Sequence, residues 1–160
     1  MENLLEVKNL SFSFRTYGGV VKAVRNVSFD VRPGEILGIV GESGCGKSVT
    51  AQCTMRLNPE PPGFFEGGEI LYKGEDILKM NEKELRKIRG TEIGFIFQDP
   101  MTSLNPTMKI GKQIEEVFIK NKEMSHAEKK QKALEILRLV GISDEERRYN
   151  QYPHELSGGM

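Results

Sequence analysis

The chain has 160 residues, and its 23 Lys plus Arg balance 23 Asp plus Glu to a formal net charge of zero. That length suits one domain, or one domain carrying an inserted subdomain, and a balanced charge creates no field that steers a chain toward nucleic acid or an anionic membrane. No apolar run approaches a membrane span, the opening MENLLEVKNL is not signal-like, and Cys45 and Cys53 form neither a disulfide framework nor a zinc set, so a cytosolic protein is expected.

In chain order, Leu10, Phe12 and Phe14, then Val27, Phe29 and Val31, alternate in short runs broken at Gly18, Gly19, Pro33 and Gly34. This pattern predicts antiparallel strands joined by turns. EILGIV at 35–40 is a continuous apolar run and predicts a strand buried on both faces, with a helix over SVTAQCTMRL after it. The segment NPEPPGFFEGG at 58–68 reads as a loop before a short strand at EILY. Asn81 with Glu84 forms a capping-box pattern and Gly90 a stop, so a short helix is expected from Asn81 to Arg89, and EIGFIFQ at 92–98 returns to strand. From Pro106 onward the period is helical. Ile110, Ile114, Val117 and Phe118 share one expected face and Leu134, Leu137 and Val140 another, with cap patterns at Ser125/Glu128 and Ser143/Glu146. There is no internal repeat.

The strongest chemical signal is GESGCGKS at 41–48, which fits the phosphate-loop pattern G-x-x-x-x-G-K-[ST] between an expected strand and an expected helix. Glycines let the backbone curl so that N–H groups point at phosphate oxygens, and the helix adds its positive end. Gly41, Glu42, Ser43, Gly44, Cys45, Gly46, Lys47, Ser48 and Val49 are the candidate nucleotide-binding residues. Lys47 supplies a full positive charge to the β and γ phosphates, and the Ser48 hydroxyl is the expected Mg²⁺ ligand. Cys45 occupies a variable position of the pattern and reads as a small filler, whose labelling by thiol reagents is a probe of the loop.

Two later motifs follow the phosphate loop, FIFQDP with Gln98 and LSGGM with Ser157, Gly158 and Gly159. With this order of motifs the chain resembles, over essentially its whole length, the ATP-binding subunits of ABC transporters. GESGCGKS, QDPMTSLNP and YPHELSGGM together look most like the branch that imports dipeptides, oligopeptides or nickel. The resemblance implies an α/β fold: a phosphate-loop NTPase core with an antiparallel β subdomain and an inserted α-helical subdomain. The core and β subdomain are expected over 1–99 and the helical subdomain over 100–160. It implies ATP and Mg²⁺ as cofactors and a transport-coupled ATPase activity. Lys47 and Gln98 would be catalytic, Gln98 sensing Mg²⁺ and the attacking water. An aromatic ring before the phosphate loop would stack on adenine, with Phe14 and Tyr17 both candidates. Ser157, Gly158 and Gly159 would close over the γ-phosphate of a second ATP-binding subunit packed head to tail. Transmembrane permease subunits would be the other partners, holding the protein at the inner face of the cell membrane.

Some expected parts do not occur in the sequence. No run of four apolar residues followed by Asp-Glu comes after LSGGM, so the Walker B carboxylate and catalytic glutamate are missing, and His126 and His154 stand too early to be the switch histidine. The chain is therefore expected to be the N-terminal part of a longer subunit, ending before the Walker B strand. It would hold ATP-facing elements, show negligible turnover alone and leave apolar strand edges unpaired. Two other readings stay open, a non-catalytic nucleotide-binding or interaction module and another phosphate-loop kinase or GTPase.

Overall fold

Tyr17 and Gly18 turn the chain between two long strands, β1 (Leu5–Thr16) and β2 (Gly19–Val31), which pair antiparallel. In the computed structural model, which describes residues 3–99, 103–118 and 124–160, β3 (Gly63–Tyr72) flanks β1 on its other side and the two-residue β4 (Glu75–Asp76) completes the order β2-β1-β3-β4. The chain divides into two compact units, 1–93 and 94–160.

Strand alternation has period two, yet the buried Val7 and Leu10 of β1 lie an odd number of residues apart. The register shift between them sits at Asn9, whose φ of 50° is left-handed, and β2 carries the same φ at Asn26. Asparagine tolerates this conformation. Each distortion is held by a serine across the ladder: Asn9 N–H donates to Ser28 Oγ at 2.8 Å and Asn26 N–H to Ser11 Oγ at 3.0 Å. These bulges return Leu10, Phe12 and Val24 to the inner face, where they pack with Val7, Ile70, Ile77, Leu85 and Ile88.

Helix α1 (Lys47–Cys53) buries Cys53 in this core. Helix α2 (Glu82–Thr91) begins as the sequence predicts: Asn81 Oδ1 accepts from the N–H groups of Lys83 and Glu84, and Glu84 Oε2 accepts from Asn81 N–H. It does not stop at Gly90. The Thr91 hydroxyl donates to Lys87 O at 2.7 Å and Glu92 N–H to Ile88 O at 2.9 Å, which carries the last turn beyond the glycine.

Helices α3 (Ile110–Glu115), α4 (His126–Leu139) and α5 (Glu145–Asn150) make up the second unit around Ile110, Ala133, Leu134, Leu137 and Tyr149. Ser125 and Glu128 form the expected capping box of α4. The cap expected at Ser143 does not form: Asp144, at φ 62°, is the residue before α5, and no side chain caps that helix. Val140 leaves the expected face because α4 closes on Gly141, with Gly141 N–H on Arg138 O and Ile142 N–H on Leu137 O. Val117 is likewise exposed, since α3 ends at Glu115 and a 3₁₀ turn over Glu116–Phe118 rotates it off the Ile110 face.

The sheet differs from expectation at three places. The segment expected as a loop at 58–68 contributes its last residues to β3, which begins at Gly63. Residues 35–40, expected as a strand buried on both faces, join no sheet, with Ile36 97% and Val40 91% exposed. Residues 92–98 are not a strand either, and Ile96 is 95% exposed. A continuous apolar strand is stable only with neighbours on both edges, and no strand among the described residues pairs with either segment.

Glu115 ties the helical unit together. Its carboxylate is buried and accepts hydrogen bonds from Tyr149 Oη and from Lys112 Nζ at 2.8 Å, with His126 Nε2 3.9 Å away. Burial pushes the Glu115 carboxyl up, but the Lys112 and Tyr149 bonds outweigh it and hold the group below its ordinary value. A depressed carboxylate stabilises the fold above the ordinary carboxylate range, and that contribution is lost as pH falls through the depressed value. Stability of the helical unit is therefore expected to fall below about pH 4, followed by circular dichroism. Glu115→Gln should remove most of this acid dependence and cost about 1–3 kcal/mol at neutral pH, because one buried partner of Tyr149 and Lys112 is weakened.

Candidate functional site

The loop at 41–46 leads into α1, so that Lys47 and Ser48 are the first two helical residues. Gly46 precedes the helix at φ 94° and Gly44 lies at φ 80°, both left-handed conformations suited to glycine. At Gly46 space is as restrictive as conformation: a Cβ there would lie 2.4 Å from the carbonyl oxygen of Ala23 on β2. Strand β2 thus fixes where the loop turns into the helix. Thr50 N–H and Oγ1 both donate back to Gly46 O, at 2.8 and 2.9 Å, which closes the first turn.

Lys47 curls over the loop that precedes it. Its ammonium donates to the carbonyl oxygens of Gly41 at 2.8 Å and Glu42 at 2.6 Å and lies 3.7 Å from Cys45 Sγ. The Cys45 sulfur in turn lies 2.8 Å from where a Cβ on Gly41 would sit, so Gly41 is small because the thiol folds beneath it. The result is a ring of backbone around one ammonium group, open to solvent at Glu42, Ser43 and Gly44. By helix geometry the first-turn N–H groups have no intrahelical acceptor. A fixed cation beside such donors suits an anionic oxygen cluster, and the residues present therefore fit a polyphosphate. Ser48 places a hydroxyl, a hard oxygen ligand suited to Mg²⁺, at the second helical position.

The two thiols differ in accessibility. Cys45 is exposed, whereas Cys53 is buried and its thiol is pushed up to about 12, chiefly by burial. Iodoacetamide at neutral pH should label Cys45 and spare Cys53 until the protein unfolds, and MgATP should slow the Cys45 reaction. Peptide mass mapping checks this, and equal labelling of Cys45 with and without nucleotide would mean that the residue does not report on the loop's occupancy.

The remaining site candidates are distributed over both units. Phe14 is half-buried on the core side of β1, edge-on to Phe12 at 5.1 Å between centroids. Tyr17 stands in the β1–β2 turn, fully exposed. Val49 packs its side chain against the first core, so only its backbone is available to a ligand. Gln98 lies in an exposed bend and not at a strand end as expected, because residues 92–98 have no sheet to join.

The approach to LSGG is anchored. Gln151 O accepts from Ile110 N–H at 2.9 Å, Pro153 is buried, the Tyr152 and His154 rings stack at 5.8 Å, and Leu156 packs on the second core. After Leu156 the chain turns outward. Ser157, Gly158 and Gly159 are exposed in a turn closed by Met160 N–H on Ser157 O at 2.9 Å, and a Cβ on either glycine would meet nothing within 4 Å. Packing among the described residues thus does not require either glycine.

Sequence reasoning did not identify Ala23, Asn58 or Arg89 as partners of the phosphate-loop segment. Ala23 contributes a backbone oxygen, which leaves no trace in residue type. Asn58 carries a faint signal, as a polar residue just after an apolar helix, in a position that proves buried.

The family profile described as ABC transporter matches residues 24–160. The chain is 60% identical over 157 residues to the oligopeptide transport ATP-binding protein OppD of Bacillus subtilis (strain 168), covering 98% of this chain and 44% of that protein. It is 57% identical over 160 residues to the dipeptide transport ATP-binding protein DppD of Lactococcus lactis subsp. cremoris (strain MG1363), covering 99% and 46%. Among solved structures it resembles the dimeric ATP-binding cassette MJ0796 in a post-hydrolysis state bound to ADP and Pi, with a TM-score of 0.82 and 29% identity over 97% of this chain and 64% of that one. The chain belongs to the ABC transporter family, and its fold is that of an α/β ATP-binding cassette with an antiparallel β subdomain. It spans about half the length of the curated relatives it matches. Among the described residues no helix is long and apolar enough to cross a membrane.

Proposed function

We propose that this chain is the nucleotide-binding part of an ATP-driven peptide importer, and that it takes MgATP at residues 41–49. The observation that carries this reading is the backbone ring around the Lys47 ammonium, placed at the start of α1 and fixed by Ala23. On binding, Lys47 would exchange the carbonyls of Gly41 and Glu42 for β and γ phosphate oxygens, a stronger charge-assisted pairing. Ser48, and Gln98 as the family resemblance implies, would hold Mg²⁺, which when bound would supply charge neutralisation at the phosphates. Phe14 is the better-supported adenine platform: its half-buried ring packs against the same core cluster as Val49 of α1, while Tyr17 is fully exposed in the β1–β2 turn.

Residues 157–159 would face a second ATP-binding subunit rather than the phosphate loop of their own chain. Support comes from the dimeric state of the similar cassette and from two exposed glycines that need not be small for packing within this chain. Two such subunits would pack head to tail, giving two equivalent sites by two-fold symmetry. The core and β subdomain would extend over 1–99 and the helical subdomain over 100–160. Permease subunits would hold the assembly at the inner face of the cell membrane, and the cargo would be di- or oligopeptides, as the names of these similar proteins suggest.

The test of the pairing is disulfide trapping in the full-length protein with Ser43→Cys and Ser157→Cys in a background in which Cys45 is replaced by serine. An inter-subunit crosslink that forms with MgATP and is lost with Lys47→Ala is expected. A crosslink only within one chain, or one indifferent to nucleotide, would contradict the head-to-tail arrangement. For the ring, Phe14→Leu should weaken MgATP binding by about tenfold and Tyr17→Ala by less than threefold, in line with typical base-stacking energies.

A further inference from the structure

We propose that Asn58 and Arg89 are positioning residues for nucleotide binding, clamping the phosphate-loop helix from outside so that Lys47 and Ser48 stay aimed at the phosphates. The inference rests on the reading of residues 41–49 as an ATP site. Helix α1 has only seven residues, and a helix so short is marginal without external support. Its N-terminal end is set by the Gly46 contact with Ala23. Its other end is held by two side chains from beyond the helix.

Asn58 is 6% exposed, and its Nδ2 donates to Val49 O at 3.1 Å and to Cys53 Sγ at 3.2 Å. Val49 directly follows Ser48, so one amide spans α1 from its first turn to its last residue. A buried amide beside the apolar core costs free energy unless its bonds are met, and an apolar side chain there would carry no such cost. What the amide adds is a fixed axial and rotational position for the helix.

Arg89 reaches from α2 to the turn that leaves α1. Its Nε donates to Met55 O at 2.8 Å and one terminal nitrogen to Arg56 O at 2.7 Å, the planar fork taking two successive carbonyls. Arg56, at φ 47°, in turn donates to Met80 O at 3.1 Å, just before the Asn81 cap of α2. The exit of α1 and both ends of α2 are thereby fastened together. Freed from this clamp, α1 can slide or roll by a fraction of an ångström, and displacements of that order at a charged site reduce binding steeply.

The experiment uses the full-length protein, comparing wild type with Asn58→Leu, Arg89→Met and Arg89→Lys. MgATP is titrated by calorimetry well below each variant's unfolding midpoint, and amide exchange over residues 47–57 is followed without nucleotide. Asn58→Leu and Arg89→Met are each expected to raise the MgATP Kd about tenfold and to speed exchange over 47–57. Arg89→Lys, which keeps the charge and one donor, should recover part of the affinity. Wild-type affinity in Asn58→Leu and Arg89→Met, with lowered midpoints alone, would overturn the inference and leave the two residues merely structural. Should Asn58→Leu not fold, the Arg89 pair decides. A wild-type protein that fails to bind MgATP, or binds it regardless of Lys47→Ala, would instead sink the ATP-site reading, so the two failures are distinct.

Discussion

Lys47→Ala should abolish measurable MgATP binding in the full-length protein, a loss of about 100-fold or more, with the unfolding midpoint almost unchanged. The asymmetry follows from where the ammonium sits. In the loop it bonds two solvent-exposed carbonyls, those of Gly41 and Glu42. Exposed groups regain water when a partner is removed, so stability changes little. Around phosphate the same charge has no substitute, since the other donors there are neutral N–H and hydroxyl groups, and charge-assisted bonds are about twice as strong as neutral ones. Calorimetric titration beside a thermal melt separates the two effects. A variant that binds MgATP within a few-fold of wild type would place the phosphates elsewhere.

Gly111→Ala should destabilise the helical unit by about 1–3 kcal/mol, the usual cost of overpacking. A Cβ at Gly111 would lie 2.1 Å from Tyr149 Cδ2 and 2.3 Å from both Cε2 and Cγ, along one side of the rigid ring. The ring cannot retreat easily. Its hydroxyl donates to buried Glu115, and Lys130 Nζ lies over the ring at 5.4 Å from the centroid. α3 and α5 would have to separate, loosening Gln151, whose carbonyl receives Ile110 N–H just before the signature turn. Thermal unfolding monitored by helical circular dichroism reads the loss. Adding Tyr149→Leu should recover part of it, because the two substitutions share one contact and are not additive. Full additivity would mean the clash is relieved elsewhere.

Local signals in the sequence were read well where one residue type has one physical use. Asn81 with Glu84 and Ser125 with Glu128 predict helix starts that the structure contains, because a capping box needs only neighbours in sequence. The glycine turn between β1 and β2 and the start of α1 after Gly46 were legible for the same reason. Strand pairing is not local. EILGIV and EIGFIFQ have the composition of buried strands, yet whether they join a sheet depends on partners that must come from elsewhere, and none of the described strands pairs with them. Ser143 with Glu146 carries the same cap pattern as the other two helix starts, but Gly141 and Asp144 turn left-handed there and move the start of α5.

At the site the balance is similar. GESGCGKS specifies its own curl through glycines and its own cation through Lys47, so the chemistry could be named before the geometry. What could not be read was the support beneath it. A carbonyl of Ala23 closing on Gly46, an amide of Asn58 on Val49 and a guanidinium of Arg89 on the exit of α1 are contacts between segments far apart in sequence. No motif spacing encodes them.

Hydrogen exchange of the full-length protein with and without MgATP tests the central claim most directly. Slower exchange over residues 41–53 with MgATP is the expected result, absent with Mg²⁺ alone and absent in Lys47→Ala. Exchange over 41–53 that is the same with and without MgATP, in protein that is folded and saturated with nucleotide, would contradict the account.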